Sequence, residues 1–254
     1  MRHKSFILNL LTLFVCAGLY GHSQSLVPAT VASSTTPPVR AHNYIDPLVL
    51  HLDLILSPPP AKDSAITAAE LTELHRVETV RTPAQVALAK ADDGEEDIFI
   101  FANVLGPRFS AEALPLTAAL SGKIRKDESA ASSPLKGIYR RSRPYQVDST
   151  LHPVCPVTVE ANSYPSGHSL SGYLLAFTLV QLVPEKRQQI LDRADEYAHN
   201  RLICGVHFAS DIAASRNVAL AIYGSLSASS RFQQDLAAAR EETRHQLGLA
   251  PVAP

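Results

Sequence analysis

The sequence predicts an all-α protein. Apolar residues recur at helical spacing over most of the chain, and proline and glycine interrupt these segments at places where helices would end. No stretch alternates apolar and polar residues as a half-buried strand does. The chain has 254 residues, of which 46% are apolar, so it is long enough to bury a large core. We therefore expect a compact helical bundle.

The N-terminus has the pattern of a secretory signal peptide. Arg2 and Lys4 precede a short apolar run, and the small residues Gly21 and Ser23 lie two apart, as they do at a cleavage site. The apolar run is shorter than the roughly 20 residues that a membrane span needs, which disfavours the alternative of a membrane anchor. We expect residues 1–23 to be removed on export and the mature protein to be periplasmic or secreted.

Composition divides the remainder of the chain. Residues 24–42 are rich in Ser, Thr and Pro, which predicts an extended arm, and residues 43–254 are expected to form a single all-α domain. Without Arg2 and Lys4, the 23 basic residues become 21 against 24 acidic ones, a formal charge of −3. This charge argues against a nucleic acid or an anionic membrane as the partner. No later apolar segment predicts stable membrane insertion, and homo-oligomerisation is left open.

Two cysteines, Cys155 and Cys204, lie outside the signal peptide. Export to an oxidising compartment favours a disulfide between them, and the alternative is a pair of free buried thiols. Such a bridge would close a loop of about 50 residues and would stabilise the fold by about 4 kcal/mol in the chain-entropy model.

Local signals place two helices and a connector in the first hundred residues. Thr67 and Glu70 have the spacing of a capping box, which predicts that a helix begins there. Thr82-Pro83 is an N-cap followed by proline at the first helical position, and the helix that it opens is expected to run towards Ala91. The acidic run over residues 92–96 is then predicted to be a connector between helices.

Six further helices are predicted from apolar spacing and apolar content; periodicity alone does not assign the first, an apolar run whose surroundings favour a helix over an isolated strand. They are expected at Asp97–Leu105, Ser110–Lys126, His168–Val183, Glu185–Cys204, Asp211–Ser227 and Phe232–Leu247. Gly106 and Pro184 end the first and the third of these, and Pro115 is tolerated only near a helix start. The third helix is apolar on all sides and is therefore expected in the core, whereas the fourth is amphipathic and the last is a charged surface helix.

Two short stretches combine residues that can bind an anion. In the first, Lys136 and Arg143 lie seven apart, about two helical turns, so one helical face could direct both cations to one point. The alternative is a solvated basic patch. In the second, Pro165-Ser166-Gly167-His168, proline fixes φ and glycine allows close approach of the backbone, so N–H groups can surround an anion beside the histidine. The alternative is an ordinary turn before a capped helix.

A third stretch contains Arg201, His207 and Asp211. The histidine and the aspartate lie four apart, a separation at which the carboxylate can hold the imidazole Nδ1–H and leave Nε2 free. The alternative is a structural pair. Together, the three stretches supply the positive charge, the two histidines and the carboxylate that phosphoryl transfer requires.

In this order, the patterns K-x6-R-P, P-S-G-H and R-x5-H-x3-D resemble the signature of the type 2 phosphatidic acid phosphatase and vanadium haloperoxidase superfamily. Within it, the signal peptide, the three prolines at 58–60, Ser163-Tyr164 and the segment Ile203–His207 are similar to the bacterial class A non-specific acid phosphatases. The motifs cover Lys136 to Asp211. The resemblance implies the helical bundle of that superfamily and a broad hydrolysis of small phosphate monoesters.

The resemblance also implies roles for individual residues. His207 would attack phosphorus and form a phosphohistidine, Asp211 would orient it, and His168 would protonate the leaving alkoxide and then activate water. The phosphate-binding residues would be Lys136, Arg143, Arg201, Ser166 and Gly167. No metal and no other cofactor is expected, because three cations already neutralise the phosphoryl group.

Asn200 departs from the family pattern, since it stands where the third motif usually begins with serine, and Ser169-Leu170 departs from the Thr-rich continuation that is frequent after P-S-G-H. We expect the change at Asn200 to affect the fine positioning of Arg201 rather than activity itself. Two other activities of the superfamily remain as alternatives: a vanadate-dependent haloperoxidase, and a phosphatase that acts on lipids or diphosphates. Outside enzymes, the alternative is a non-catalytic phosphate-binding or structural protein.

Overall fold

Helices dominate the part of the chain that the structure describes. The structure is a computed structural model that describes residues 42–251, and no strand occurs among them. The predicted all-α class is therefore confirmed. The predicted signal peptide and the predicted arm up to residue 41 lie outside the described residues. Between residues 42 and 251, no helix combines the length and the apolar character that crossing a membrane requires.

Ten α-helices follow one another along the described residues. They are α1 (Leu52–Ile55), α2 (Ala65–Val80), α3 (Pro83–Asp93), α4 (Ala102–Leu105), α5 (Pro115–Tyr139), α6 (Pro144–Val147), α7 (Gly167–Leu182), α8 (Arg187–Ile203), α9 (Ala209–Ser227) and α10 (Ser230–Leu247). Short 3-10 turns lie at Pro47–Val49, Ile98–Phe101 and Pro184–Lys186.

The apolar helix α7 forms the centre of the bundle. Its side chains Leu170, Leu174, Leu175 and Leu179 are completely buried. Helices α8 and α9 pack along α7, and α10 packs against both α5 and α7. The expectation that the helix apolar on all sides lies in the core is confirmed. Because neighbours surround α7, they also fix the position of its N-terminus.

Helices α7 and α8 approach each other closely at Gly172. A Cβ atom on this residue would lie 2.6 Å from Cδ1 of the Tyr197 ring, too close for a real contact. Tyr197 is completely buried, and its hydroxyl donates to the carbonyl of Glu95. Glycine at position 172 therefore allows an aromatic ring of α8 to lie directly on α7 and to reach the segment after α3.

The start of α2 differs from the sequence prediction. The helix begins at Ala65, and Ser64 is its N-cap, with Oγ accepting from the Thr67 N–H at 3.2 Å. Thr67 is buried, and its own hydroxyl donates to the carbonyl of Ala61 at 2.8 Å. The prediction that the helix begins at Thr67 was wrong because a serine three residues earlier supplies the cap.

The cap of α3 agrees with the prediction. Thr82 accepts from the Gln85 N–H, and Pro83 is the first helical residue. Helix α3 then continues to Asp93, two residues beyond the expected Ala91.

The fifth helix begins and ends later than the expected Ser110–Lys126. Helix α5 has Pro115 at its first position, where proline loses no helical hydrogen bond, and it continues to Tyr139. Leu135 is buried on its inner face like Ile124, which lies eleven residues, or about three turns, earlier. The polar residues between these two conceal the continuing helical spacing.

A disulfide joins Cys155, in the long connection between α6 and α7, to Cys204 at the end of α8. Gly205 follows with a φ of 74°, which lies in the left-handed region that favours glycine. A Cβ atom there would lie 3.4 Å from Cα of Pro153. The chain thus turns sharply after α8, against the connection that leads to α7.

Candidate active site

His207 lies in the short segment between α8 and α9, and its side chain is 2% exposed. Its Nδ1 atom is 3.2 Å from Oδ2 of Asp211, in the first turn of α9. The same oxygen accepts from the Ser163 hydroxyl at 2.6 Å and from the Phe208 N–H at 2.9 Å. Burial raises the pKa of Asp211, and the charge of Arg141 and these hydrogen bonds oppose that shift. The contact expected from the four-residue spacing is present.

Arg143 contacts the opposite side of the His207 ring. Its Nη1 atom is 3.2 Å from Nε2 of His207 and donates to the carbonyl of Val206 at 3.0 Å. Because Nδ1 faces a carboxylate and Nε2 faces a guanidinium, the ring is placed as a neutral imidazole with its lone pair on Nε2. Burial, and then the charges of Arg143 and Arg201, hold the pKa of His207 well below its usual value.

Lys136 and Arg143 approach the site from different parts of the chain. Lys136 lies in the last turn of α5, and Arg143 precedes the short helix α6. The expectation that one helical face carries both was wrong, because Arg140, with a φ of 44°, ends α5 between them. They meet instead at Asn162. Its carbonyl accepts from Nζ of Lys136 and its Oδ1 accepts from Nε of Arg143, each at 2.9 Å.

The N-terminus of α7 carries the second motif. Ser166 is the N-cap, and its Oγ accepts from the Ser169 N–H at 3.4 Å, so its own hydroxyl hydrogen is left to donate. Gly167 is the first helical residue, and apart from its chain neighbours and the backbone of its own helix, no described atom lies within 4 Å of where its Cβ would be. Nζ of Lys136 donates to the carbonyl of Pro165 at 2.8 Å, and burial and the charge of Arg143 lower the pKa of Lys136 to about 8. An ammonium group and a positive helix end thus meet here.

Arg201 lies in the last turn of α8, and its side chain is 5% exposed. Its Nη1 atom donates to Oδ1 of Asp93 at 2.6 Å. Its Nε atom is buried and has no hydrogen-bond partner within residues 42–251. A buried donor without a partner is costly, and an oxyanion at this place would satisfy it.

Asn200, at the departure from the family pattern, donates from Nδ2 to Oδ2 of Asp92 at 2.7 Å. Asp92 also accepts from both Nη atoms of Arg193, at 3.0 and 2.6 Å, and it is buried. Residues 92–96, called here the acidic segment, are therefore more than the connector that the sequence predicted. Asn200 ties the end of α3 to α8, next to Arg201.

His168, the second residue of α7, faces the acidic segment. Its Nε2 atom is 3.1 Å from the carbonyl oxygen of Asp93, and its Nδ1 atom is 3.3 Å from Oε1 of Glu96. Both partners accept hydrogen bonds, so both stabilise the protonated imidazolium. Burial and the charge of Arg201 lower the pKa of His168, whereas Glu96 and Asp93 act in the opposite direction.

The two histidines are linked through charge. No hydrogen bond joins His168 to His207 in the described part of the chain, but the charges of Lys136 and His168 both contribute to the lowered pKa of His207. The N–H of Ser166 donates to the carbonyl of Asp211 at 3.4 Å, which joins the start of α7 to the start of α9. The predicted residues therefore share one electrostatic environment.

Sequence reasoning missed several side chains around the site. They are Asn162, Ser163, Asp93, Glu96 and Arg141. Ser163 stands three residues before the serine of the P-S-G-H motif, so its proximity was open to inference. No spacing rule pairs Asp93 with Arg201, because the two lie 108 residues apart in the sequence.

Comparison with known proteins identifies the family. A family model described as the PAP2 superfamily matches residues 114–234, which include all the predicted catalytic and phosphate-binding residues. A non-specific acid phosphatase of Salmonella typhimurium is 32% identical over 194 residues, which cover 74% of this chain and 78% of that protein. The chain belongs to the PAP2 superfamily. An acid phosphatase of Zymomonas mobilis is 29% identical over 233 residues, covering 87% of this PAP2 chain and 84% of the relative.

These relatives confirm the resemblance to non-specific acid phosphatases and support a phosphatase. Among solved structures, a transmembrane PAP2-type phosphatidylglycerolphosphate phosphatase from Bacillus subtilis is 18% identical. The TM-score is 0.47, over 71% of this chain and 90% of that one.

Proposed function

We propose that this PAP2 chain is a secreted acid phosphatase of broad specificity, which hydrolyses phosphate monoesters through a phosphohistidine on His207. The observation that carries the proposal is the setting of His207, a buried neutral imidazole with Nδ1 at a carboxylate and Nε2 beside a guanidinium. Such a lone pair is suited to attack a phosphorus atom whose oxygens the neighbouring cations hold. The relatives named as acid phosphatases support the same activity.

The proposal extends to processing and location. Residues 1–23 are a signal peptide, residues 24–42 an arm, and residues 43–254 the single catalytic domain. Export of this kind gives a periplasmic or secreted enzyme, in which a disulfide is stable.

In the first step, Nε2 of His207 bonds to phosphorus while the bond between phosphorus and the ester oxygen breaks. His168 gives its proton to the departing alkoxide. Asp211 accepts the Nδ1–H of His207 and stabilises the positive charge that develops on the ring.

In the second step, the oxygen of water bonds to phosphorus and the electron pair of the P–N bond returns to Nε2 of His207. The deprotonated His168 takes a proton from that water. Inorganic phosphate leaves, and both histidines regain their starting protonation states.

The positive groups around the site hold the phosphoryl oxygens in this proposal. Lys136, Arg143 and Arg201 supply charge, and the Ser166 hydroxyl and the Gly167 N–H supply hydrogen bonds. The buried Nε atom of Arg201, which has no hydrogen-bond partner in the described part of the chain, supports an anion at this position. A lining of three cations repels a metal ion, so we propose a metal-independent reaction.

The pKa shifts favour activity below neutral pH. The pKa of His207 is far below its usual value, so the nucleophile stays neutral in acid. The pKa of His168 is also lowered, by burial first, so the proton needed by the leaving group is lost as pH rises through a value below the ordinary histidine pKa of about 6.5. Activity is therefore expected to be greatest in acid and to decline towards neutral pH.

Replacement of the nucleophile tests the proposal. His207→Ala is expected to lower turnover of p-nitrophenyl phosphate by about 10⁴-fold or more and to abolish an acid-labile phosphoenzyme. His199→Ala, an exposed histidine of α8, is the matched control and should retain activity. Both are measured at acidic pH with and without a chelator, and chelator-resistant turnover is expected.

Two results would contradict the proposal. A labelled phosphoenzyme that persists in His207→Ala would place the nucleophile elsewhere. Oxidation of halide with vanadate and peroxide, without phosphatase turnover, would make the chain a haloperoxidase.

A further inference from the structure

Arg141 is a buried cation that the proposed mechanism does not use. It lies between α5 and α6, two residues before Arg143. Its Nη1 atom donates to Oδ1 of Asp211 at 2.6 Å, and its Nη2 atom donates to Oε2 of Glu70 in α2 at 3.0 Å. The centre of its guanidinium lies 4.1 Å from the ring centre of Phe208. The side chain is thus fixed by contacts with α2 and with the start of α9.

Arg141 and His207 contact different carboxylate oxygens of Asp211. Oδ2 serves Nδ1 of His207, whereas Arg141 binds Oδ1. The side chains of Arg141 and Asp211 are 7% and 0% exposed, so water screens this pair little. Arg141 therefore acts on the imidazole only through Asp211.

We propose that Arg141 is a positioning residue that partly neutralises Asp211 and thereby lets His207 release phosphorus in the second step. The inference rests on the proposed phosphohistidine mechanism. Asp211 stabilises the charged phosphoimidazolium, and too strong a stabilisation would hold the enzyme in the intermediate. The cation at 2.6 Å limits the negative charge that Asp211 presents to the ring.

The two steps depend on this charge in opposite ways. A more negative Asp211 makes Nε2 of His207 a better nucleophile, which favours formation of the P–N bond. It also makes the imidazole a poorer leaving group when water attacks phosphorus and the P–N electron pair returns to Nε2. Loss of Arg141 would by itself favour the protonated form of Asp211, but in the intermediate the positive charge of the phosphoimidazolium keeps Asp211 ionised. Loss of Arg141 is therefore expected to slow the second step more than the first.

Glu70 provides a variant that acts in the opposite direction. Its carboxylate accepts from Nη2 of Arg141 and from the Ser210 N–H, at 3.0 and 2.6 Å. It is thus the second negative group that Arg141 neutralises. Without the negative charge of Glu70, Arg141 would interact more strongly with Asp211. The phosphohistidine intermediate should then be hydrolysed faster.

Rapid-quench kinetics with labelled p-nitrophenyl phosphate test the proposal. For Arg141→Gln we expect kcat to fall about tenfold or more, the size of a lost charge-assisted hydrogen bond, with KM falling alongside it. A burst of p-nitrophenolate and a larger steady-state fraction of phosphoenzyme are expected. Arg141→Lys should recover part of kcat, and Glu70→Gln should lower the phosphoenzyme fraction below that of the unaltered enzyme.

The exposed neighbour Arg140 is the matched control, and Arg140→Gln should leave the phosphoenzyme fraction unchanged. The proposal is overturned if kcat and kcat/KM fall together in Arg141→Gln without phosphoenzyme accumulation, or if Glu70→Gln does not lower that fraction. The second criterion decides the matter even where Arg141→Gln fails to fold. If the unaltered enzyme forms no phosphoenzyme at all, the proposed function fails, a separate result.

Discussion

Glu96 faces one ring nitrogen of His168, while the carbonyl of Asp93 faces the other. These acceptors oppose the burial that would otherwise remove the proton from the ring. A histidine that must donate a proton to a leaving group needs such support inside a protein. The acidic segment therefore helps to keep His168, the proposed acid, protonated, in addition to its contacts within the fold.

Removal of the Glu96 charge gives a pH prediction. The carboxylate stabilises the imidazolium, so Glu96→Gln lowers the pKa of His168 further, and the protonated fraction at a given pH falls. We expect the decline of kcat/KM with rising pH to move to lower pH, measured by phosphate release from an alkyl phosphate, whose alkoxide leaving group needs the proton. Glu95→Gln is the control, because Glu95 is exposed and its hydrogen bonds to the Tyr197 hydroxyl and to the carbonyl of Asp92 are made by its backbone. An unchanged pH profile in Glu96→Gln would count against this role.

Among individual residues, the sequence indicated the proposed reacting groups but not the side chains that contact them. The four-residue spacing of His207 and Asp211 was informative because both lie in one local stretch. By contrast, Glu96 and His168 are separated in sequence by the whole of α5 and α6. Their contact depends on how helices pack, which no local pattern encodes.

Helices α7 and α8 carry Gly167, His168 and Arg201 of the proposed site, and their close approach depends on Gly172. Gly172→Ala would place a methyl group 2.6 Å from the Tyr197 ring. We expect the free energy of unfolding to fall by about 1–3 kcal/mol, as for other overpacked cores. Urea denaturation followed by circular dichroism measures the change.

Gly224→Ala in α9 is the matched control. Gly224 is exposed, and outside its chain neighbours and the backbone of α9, no atom of the described residues lies within 4 Å of where its Cβ would be. Alanine is therefore expected to stabilise the protein, by up to about 1 kcal/mol, through helix propensity. Equal effects of the two substitutions would show that contact with Tyr197 is not the cause.

Element boundaries followed the sequence where caps and breakers are explicit. Thr82-Pro83 marked the start of α3 and Pro184 the end of α7, because these residues act locally. Helix α5 was harder to delimit, since its polar residues between Ile124 and Leu135 break the apparent apolar stripe. The consequence was the mistaken placement of Lys136 and Arg143 on one helix.

For the whole molecule, the disulfide is expected to contribute a substantial part of the free energy of unfolding, which is about 5–15 kcal/mol in typical proteins. It joins residues 49 apart, which corresponds to about 4 kcal/mol in the chain-entropy model. A double variant, Cys155→Ser with Cys204→Ser, should therefore unfold at lower urea concentration. Reductant should shift the midpoint of the unaltered protein in the same direction and leave the double variant unchanged. If neither the double substitution nor reductant lowered the urea midpoint relative to the unaltered protein, a stabilising disulfide would be contradicted.

The all-α class was predictable because apolar periodicity is repeated in nearly every segment, so no single error alters the result. The long connection between α6 and α7 was not predictable in the same way. It has no periodicity, yet it supplies Asn162 and Ser163, which contact Arg143 and Asp211. Its path follows from the bridge at Cys155 and from hydrogen bonds to residues elsewhere in the chain.

The acidic segment has a practical consequence for protein engineering. Its side chains contact His168 and Arg201, and Glu96 also forms an ion pair with Arg125 of α5. Glu96 is only partly buried, so substitutions there are expected to adjust the working pH at the cost of its pair with Arg125. A small set of variants at residues 94–96 is therefore expected to include proteins with different pH optima.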